Sequence, residues 1–369
     1  MPKIFEIFGF PLNDKSTEAE ECKRSAQCPF MDCECDGGGN RYLSNIDLSN
    51  KARLRKYFRD KKTVHSGICS ISLNDHDSPW IVCPRRLMVL GRLNTGNRKY
   101  QKYAENLLFK HSHLTKGTRL GVWSELKLKY VEQIGGLKKK FDYTFDYLVM
   151  PLKRCSEFEF SEITGMSWNK AKPLLESSGF SFARREGIAY VEDFPSGAPI
   201  VVEIMTSSTS GGNKKKRTTI PMAFEDAILD KHHGAPGINY RQVWARMVSQ
   251  LIVKSEVAVS WGGMAFWILQ DVLVDYISSS TALDIRRFLA KCPSEINMLS
   301  FSYKNKYKNP KGVIELKNGE LFAGAFSSPK TKASKSSFQD IIRAPMHPSK
   351  SRLINQLIKR RPTNIIVAP

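Results

Sequence analysis

Acidic residues are scarce in this chain: 36 Asp and Glu stand against 57 Lys and Arg, leaving a formal charge of +21. A composition that basic points to a polyanion as partner, with nucleic acid first among polyanions. No apolar run reaches the roughly 18 residues that a membrane-spanning helix needs. No basic amphipathic helix carries a broad apolar face, which argues against an anionic membrane surface. The opening Met1-Pro2-Lys3-Ile4-Phe5-Glu6 has no basic start followed by an apolar stretch. A secretory signal is therefore not expected, and the compartment is expected to be reducing. There is no GxxxxGK[ST] loop to cradle a nucleotide and no internal repeat. Nor is there a strand set of aromatics interleaved with basic residues, as an RNA reader would carry.

What the chain does have is a group of thiols near its start. Six of eight cysteines fall in the first 83 residues: Cys22, Cys28, Cys33, Cys35, Cys69 and Cys83. Clustered thiols in a reducing compartment more often hold a metal than pair as disulfides. Thiolate sulfur is a soft donor, and four in tetrahedral array suit Zn²⁺ or iron. Cys28 lies in a Cys-Pro-Phe turn, Cys69 in a strand two residues after a glycine, and Cys83 at a strand end before Pro84. The fourth ligand is Cys33 or Cys35, with Cys35 favoured by its longer reach from Cys28. No CxxC pair repeats and no His-x₃-His follows, so the spacing is not that of a zinc finger. The alternative is a set of buried free thiols. Cys155 and Cys292, isolated in apolar surroundings, read as ordinary core thiols.

At 369 residues with 41% hydrophobic content, the chain can bury a large core. Three regions are expected: a metal-stapled module over 1–90, an α/β core over 91–300, and a basic extension over 301–369 that contacts DNA. Residues 91–140 read as helical, from Arg98 to Lys110 and again through Leu126, Leu128, Val131 and Ile134. Phe141–Val149 and Pro199–Met205 read as strands. Arg241–Ser255 is the clearest helix, with Val243, Trp244, Met247, Val248, Leu251 and Ile252 on its apolar face. Arg246, Gln250 and Lys254 line up on it at four-residue spacing. The last seventy residues hold only Glu315, Glu320 and Asp340 as acids, and 327–337 reads as a flexible arm.

Two acids lie inside apolar strands, Asp146 and Glu203, where an unpaired carboxylate is costly to bury. A hard divalent cation with oxygen ligands would compensate them, and Mg²⁺ held this way can serve phosphodiester hydrolysis. Strand residues two apart share a face, so position 205 is beside such an ion. Many nucleases carry a lysine there; this chain carries Met205, neither a hard ligand nor a proton donor. Lys254 or Gln250 is the expected substitute, and Glu132 a possible third carboxylate. The plain alternative is that both acids are strand-end residues paired with surface Arg or Lys. Arg85 and Arg86, after Cys83-Pro84, are expected to meet phosphate or guanine. The polar loop 206–219, with Lys214 and Lys215, is expected either to approach a DNA backbone or to be a flexible solvated loop.

Taken in order, Cys-Pro-Phe at 28–30, Gly-Ile-Cys-Ser at 67–70 and Trp-Ile-Val-Cys-Pro at 80–84 resemble the NotI family of type II restriction endonucleases. Phe-Asp-Tyr at 145–147 and Val-Glu-Ile-Met-Thr at 202–206 complete the likeness, which spans about 28 to 260. The resemblance implies an α/β fold: a PD-(D/E)xK-like mixed sheet flanked by helices, with a small N-terminal four-cysteine module. It implies iron or zinc on Cys28, Cys35, Cys69 and Cys83, and Mg²⁺ on Asp146 and Glu203. It further implies a bacterial cytoplasmic homodimer that cleaves both strands of palindromic double-stranded DNA. The family pattern has Gln where this chain has Met205, so that role is left unassigned. The rival expectation is a metal-stapled DNA-binding protein without catalysis, a regulator or a decayed nuclease.

Overall fold

An apolar run without alternation belongs to a strand covered on both faces, and Ile200–Ile204 is such a strand, with all five residues buried. The computed structural model of the chain describes residues 1–40, 45–74, 77–91, 98–134, 136–280, 285–289, 293–303, 311–324 and 348–368. Ile200–Ile204 pairs in parallel with Met264–Gln270, which pairs in parallel with Ile296–Ser302. Parallel neighbours need a crossover. The helices Tyr240–Ser260 and Asp271–Ser280 provide the two crossovers. On its other edge Ile200–Ile204 runs antiparallel to the long strand Leu137–Ser156. The sheet is therefore mixed and the fold is α/β.

Among the described residues nine strands form this sheet. Their order is Phe182–Arg185, Ile188–Pro195, Leu137–Ser156, Ile200–Ile204, Met264–Gln270, Ile296–Ser302 and Lys317–Gly324. Arg119–Ile134 also pairs with the long strand, and Asn364–Val367 pairs with Arg119–Ile134. Side-chain parity sorts the core. Val201, Ala265, Trp267 and Leu269 pack with Val243, Met247, Leu251 and Ile252 of the helix Tyr240–Ser260; Trp244 and Val248 lie outside the described side chains. Ile200, Val202, Ile204, Phe266 and Ile268 pack with Tyr100, Ala104, Leu108 and Phe109 of the helix Lys99–His111. The two-residue period thus puts Glu203 on the face of Val201, toward Tyr240–Ser260.

Two expectations change. Residues 119–134 form a strand, not a helix. Leu126, Leu128 and Tyr130 alternate with Lys127, Lys129 and Val131, and this period of two pairs rung by rung with Leu137–Phe145; after a break at Asp146 the pairing resumes over Tyr147–Pro151. The C-terminal seventy residues are not an appended extension. Lys317–Gly324 and Asn364–Val367 are strands of the main sheet, and the helix Lys350–Leu357 buries Leu353, Ile354 and Leu357 in the core. The stretch 327–337 and Cys292 lie outside the described residues; Cys155 is buried in the core. No helix among the described residues is long and apolar enough to cross a membrane.

The N-terminal region forms its own small sheet, ordered Phe10–Pro11, Lys3–Ile7, Ile68–Ser72 and Trp80–Ile81. Its core takes in Ala223, Phe224 and Ala227 from the helix Ile220–Ile228, so residues 1–90 do not close a core alone. Buried hydrogen bonds fasten it to the large sheet. Ile81 N–H donates to Gln270 Oε1 at 2.8 Å, and Gln270 Nε2 donates to Pro79 O at 2.7 Å.

Candidate active site and thiol cluster

The antiparallel ladder between Leu137–Ser156 and Ile200–Ile204 ends at the pair Tyr147 and Val202. One rung further, the side chains of Asp146 and Glu203 take over. Ile204 N–H donates to Asp146 Oδ2 at 2.8 Å, and Asp146 N–H donates to Glu203 Oε1 at 3.3 Å. The pleat is irregular at this level. Phe145 faces the Tyr240–Ser260 side and Tyr147 the Lys99–His111 side, whereas regular alternation would put both on one face. The ladder with Arg119–Ile134 skips Asp146 and Glu125, and Glu125 has a φ of 50°. Asp146 is thereby turned toward the neighbouring strand rather than into either core.

Glu203 is 2% exposed and Lys254 is 3% exposed. Lys254 Nζ donates to Glu203 Oε2 at 2.5 Å and lies 5.7 Å above the centre of the Phe145 ring. Burial pushes the Glu203 carboxyl up to about 8; the Lys254 ammonium opposes that shift and the Asp146 carboxylate adds to it. Met205, two residues on from Glu203, is buried in the apolar core. The cation at this acid comes from the helix instead of the strand.

A cavity of about 460 Å³ opens here, lined by Asp146, Glu203, Met205, Gln242, Arg246 and Gln250 among others. Ser66, Val82 and Pro84 of the N-terminal region also line it. Gln242, Arg246, Gln250 and Lys254 recur every four residues and so share a stripe of the helix. Two carboxylates beside one cavity, one of them held above its ordinary range by burial, are a donor set that fits a hard divalent cation.

Glu132 does not join this site. The ladder sets it opposite Lys139, seven residues from Asp146, or about 23 Å along the strand; its carboxylate meets Arg352 at 3.5 Å. Lys214 and Lys215 are exposed in the turn after Gly212 and are not part of the cavity lining. Arg86 is fully buried, which corrects the expectation of a DNA contact. Its Nη2 donates to Glu6 Oε1 at 2.9 Å and to Ile314 O at 2.8 Å, and its Nη1 to Tyr100 Oη at 2.6 Å. Tyr303 Oη and Ser70 Oγ complete the shell of Glu6 at 2.5 and 2.8 Å. Arg85 is half-buried, donating to Asp36 Oδ2 at 2.9 Å and Glu125 Oε1 at 3.1 Å. It braces the cysteine segment against the strand beside Asp146.

Cys28, Cys69 and Cys83 form one apolar cluster with Phe30, Met31 and Val89, and Cys35 packs against it. Cys33, although paired with Cys28 across a two-rung hairpin, is exposed. Burial pushes the Cys28 thiol up to about 12 and Cys35 well above its ordinary range, and the neighbouring sulfurs add to both shifts. For Cys69 the hydrogen bond with Cys83 comes first and burial second. Among the described residues no group of three or more His, Cys, Asp or Glu is placed to hold a metal ion. The four thiols are nevertheless soft donors walled by apolar side chains, a chemistry that suits zinc or iron.

Two residues of consequence escape the sequence pattern. Gln242 extends the four-residue stripe by one turn, which is the signal that would have found it. Glu6 is an acid within the apolar strand Lys3–Ile7, the same signal that singles out Glu203. Comparison with protein-family models, with curated proteins and with solved structures returned no match to this chain.

Proposed function

We propose that this protein is a site-specific deoxyribonuclease of the PD-(D/E)xK kind, similar to the NotI family, acting on double-stranded DNA. The observation that carries the proposal is Asp146, Glu203 and Lys254 converging at a strand divergence beside an open cavity. Asp146 and Glu203 would hold Mg²⁺, which when bound supplies charge to the scissile phosphate and lowers the pKa of a water. Lys254 fixes the rotamer of Glu203 and keeps a positive charge where charge builds on the phosphate oxygens. Gln250 and Arg246, one and two turns away on the same stripe, donate hydrogen bonds toward the backbone of the bound strand. Cys28, Cys35, Cys69 and Cys83 would hold iron or zinc as a staple, apart from the chemistry. A palindromic site would call for a homodimer.

The test is digestion of unmethylated DNA with Mg²⁺, with and without EDTA. Discrete fragments with uniform ends that vanish in EDTA are expected. Met205 favours a second reading, a DNA-binding protein without catalysis; binding without scission under the same conditions would establish it in place of the first.

A further inference from the structure

The hairpin that carries Asp146 continues well past it. From Leu126 and Phe145 the two strands stay paired rung by rung to Ile134 and Leu137. One face of this ribbon belongs to the core: Leu126, Leu128, Phe141 and Phe145 are buried, and Tyr130 and Tyr143 pack against them. The C-terminal helix braces that face from behind. The Arg352 guanidinium lies 4.8 Å over the Tyr130 ring, and Gln356 Nε2 donates to Lys127 O at 3.2 Å. A two-stranded ribbon alone is only marginally stable, so this backing holds it out as a fixed arm.

The other face is bare and basic. Lys127, Lys129, Val131, Lys138, Lys140 and Asp142 are all exposed on it. Four lysines against one aspartate leave a surplus of three positive charges. Asp142 is shared by Lys140 at 3.1 Å and Lys127 at 3.7 Å, and such exposed pairs are weak and readily exchanged.

We propose that this ribbon seats duplex DNA, with its lysine face along the phosphates flanking the bond held at Asp146 and Glu203. This inference rests on the nuclease reading above. Lys140 and Lys138 are six and eight residues from Asp146, or about 20 and 26 Å along the strand. At about 3.4 Å per base pair, that is a flank of six to eight base pairs. Two strands about 4.8 Å apart are narrow enough to follow a groove of about 12 Å. The lysine face carries no aromatic ring to stack on unpaired bases. It exposes a single aliphatic residue, Val131, too little to insert into a bilayer. Phosphate contact is the interaction left to it, and the duplex is the source of phosphate that the adjoining site needs.

The experiment compares three full-length proteins on a mixed-sequence duplex of about 30 base pairs in EDTA, so that no cleavage intervenes, across a salt series. They are the natural chain, K127A/K129A/K138A/K140A, and a charge-matched control, K15A/K56A/K170A/K172A, whose lysines are exposed on other elements. Each lysine seated on a phosphate contributes about 0.9 to the slope of log affinity against log salt. The ribbon variant is expected to lose about 1.8 or more of that slope and the control less than half as much. Thermal melting shows whether either variant has lost its fold; Lys→Gln at the same four positions replaces a variant that has. A smaller loss, or an equal loss in the control, overturns the ribbon while leaving the nuclease reading intact. Absence of salt-dependent duplex binding by the natural chain overturns both.

Discussion

Lys254 and Glu203 are 51 residues apart in the chain, yet the ammonium of one lies 2.5 Å from Oε2 of the other. Both are buried, so each is the other's main compensation. Removing the lysine leaves a buried carboxyl that must either stay charged and unpaired or take a proton. At about pH 9, Lys254→Ala is expected to lose about 3–5 kcal/mol of stability; at about pH 6, where Glu203 is protonated, the loss is smaller. Urea denaturation at the two pH values measures the difference, and an equal loss at both would contradict the pairing. Cleavage is expected to fall at least about 100-fold in this variant.

The Glu203 carboxyl, pushed up to about 8, sets a pH dependence whose sign is fixed. The folded chain holds a proton that the unfolded chain, with an ordinary value near 4.3, releases. The stabilisation from this group is complete below about pH 4.3 and is lost as pH rises through about 8. Mg²⁺ held there as proposed would compete with that proton, so its affinity is expected to rise with pH and level off above about 8. Calorimetric titration with Mg²⁺ between about pH 6 and 9 tests this. The profile should flatten in Glu203→Gln; a flat profile in the natural chain would remove Glu203 from the cation site.

Asp146→Ala and Glu203→Ala are expected to abolish cleavage, by at least about 100-fold, while DNA binding in EDTA persists. Fragment analysis and a binding titration on the same preparations separate the two effects. Glu132→Ala, at about 23 Å from the pair, is expected to cleave as the natural chain does.

Arg86→Ala should act on folding and not on DNA. Its partner Glu6 is fully buried, and stranding that charge costs about 3–5 kcal/mol. Urea denaturation should show this large loss, with no change in the salt dependence of DNA binding. A mild change in stability with weakened DNA binding would reverse the assignment.

The thiols yield a prediction about metal content. Elemental analysis is expected to find about one iron or zinc per chain. Cys35→Ser should lose it and Cys33→Ser should keep it, because only Cys35 packs against the buried sulfurs. Equal retention in both would refute the four-thiol staple.

The sequence by itself determined the elements whose signals are local. The run around Glu203 is apolar on both faces, so a covered strand with one acid in it was legible. So was the Tyr240–Ser260 helix with its stripe through Lys254, since four-residue spacing needs no partner to be seen. The thiol grouping was legible too, and Cys28, Cys69 and Cys83 do share one buried cluster. Residues 119–134 were misread because Leu126, Leu128, Val131 and Ile134 satisfy a helical spacing loosely; the alternation of lysines decides for a strand only once Leu137–Pro151 is there to pair with it. Arg86 beside Arg85 looked the same in sequence. Only the packing of Glu6, Tyr100 and Tyr303 around it, brought from positions up to 217 residues distant, made one arginine a fully buried clamp and left the other half-buried. The basic C-terminus likewise gained its place from Asn364–Val367 pairing with Arg119–Val122. Strand pairing and buried charge compensation are interactions between distant segments, so no window of sequence contains both halves. The tertiary structure alone brings Lys254 to Glu203 and Glu6 to Arg86.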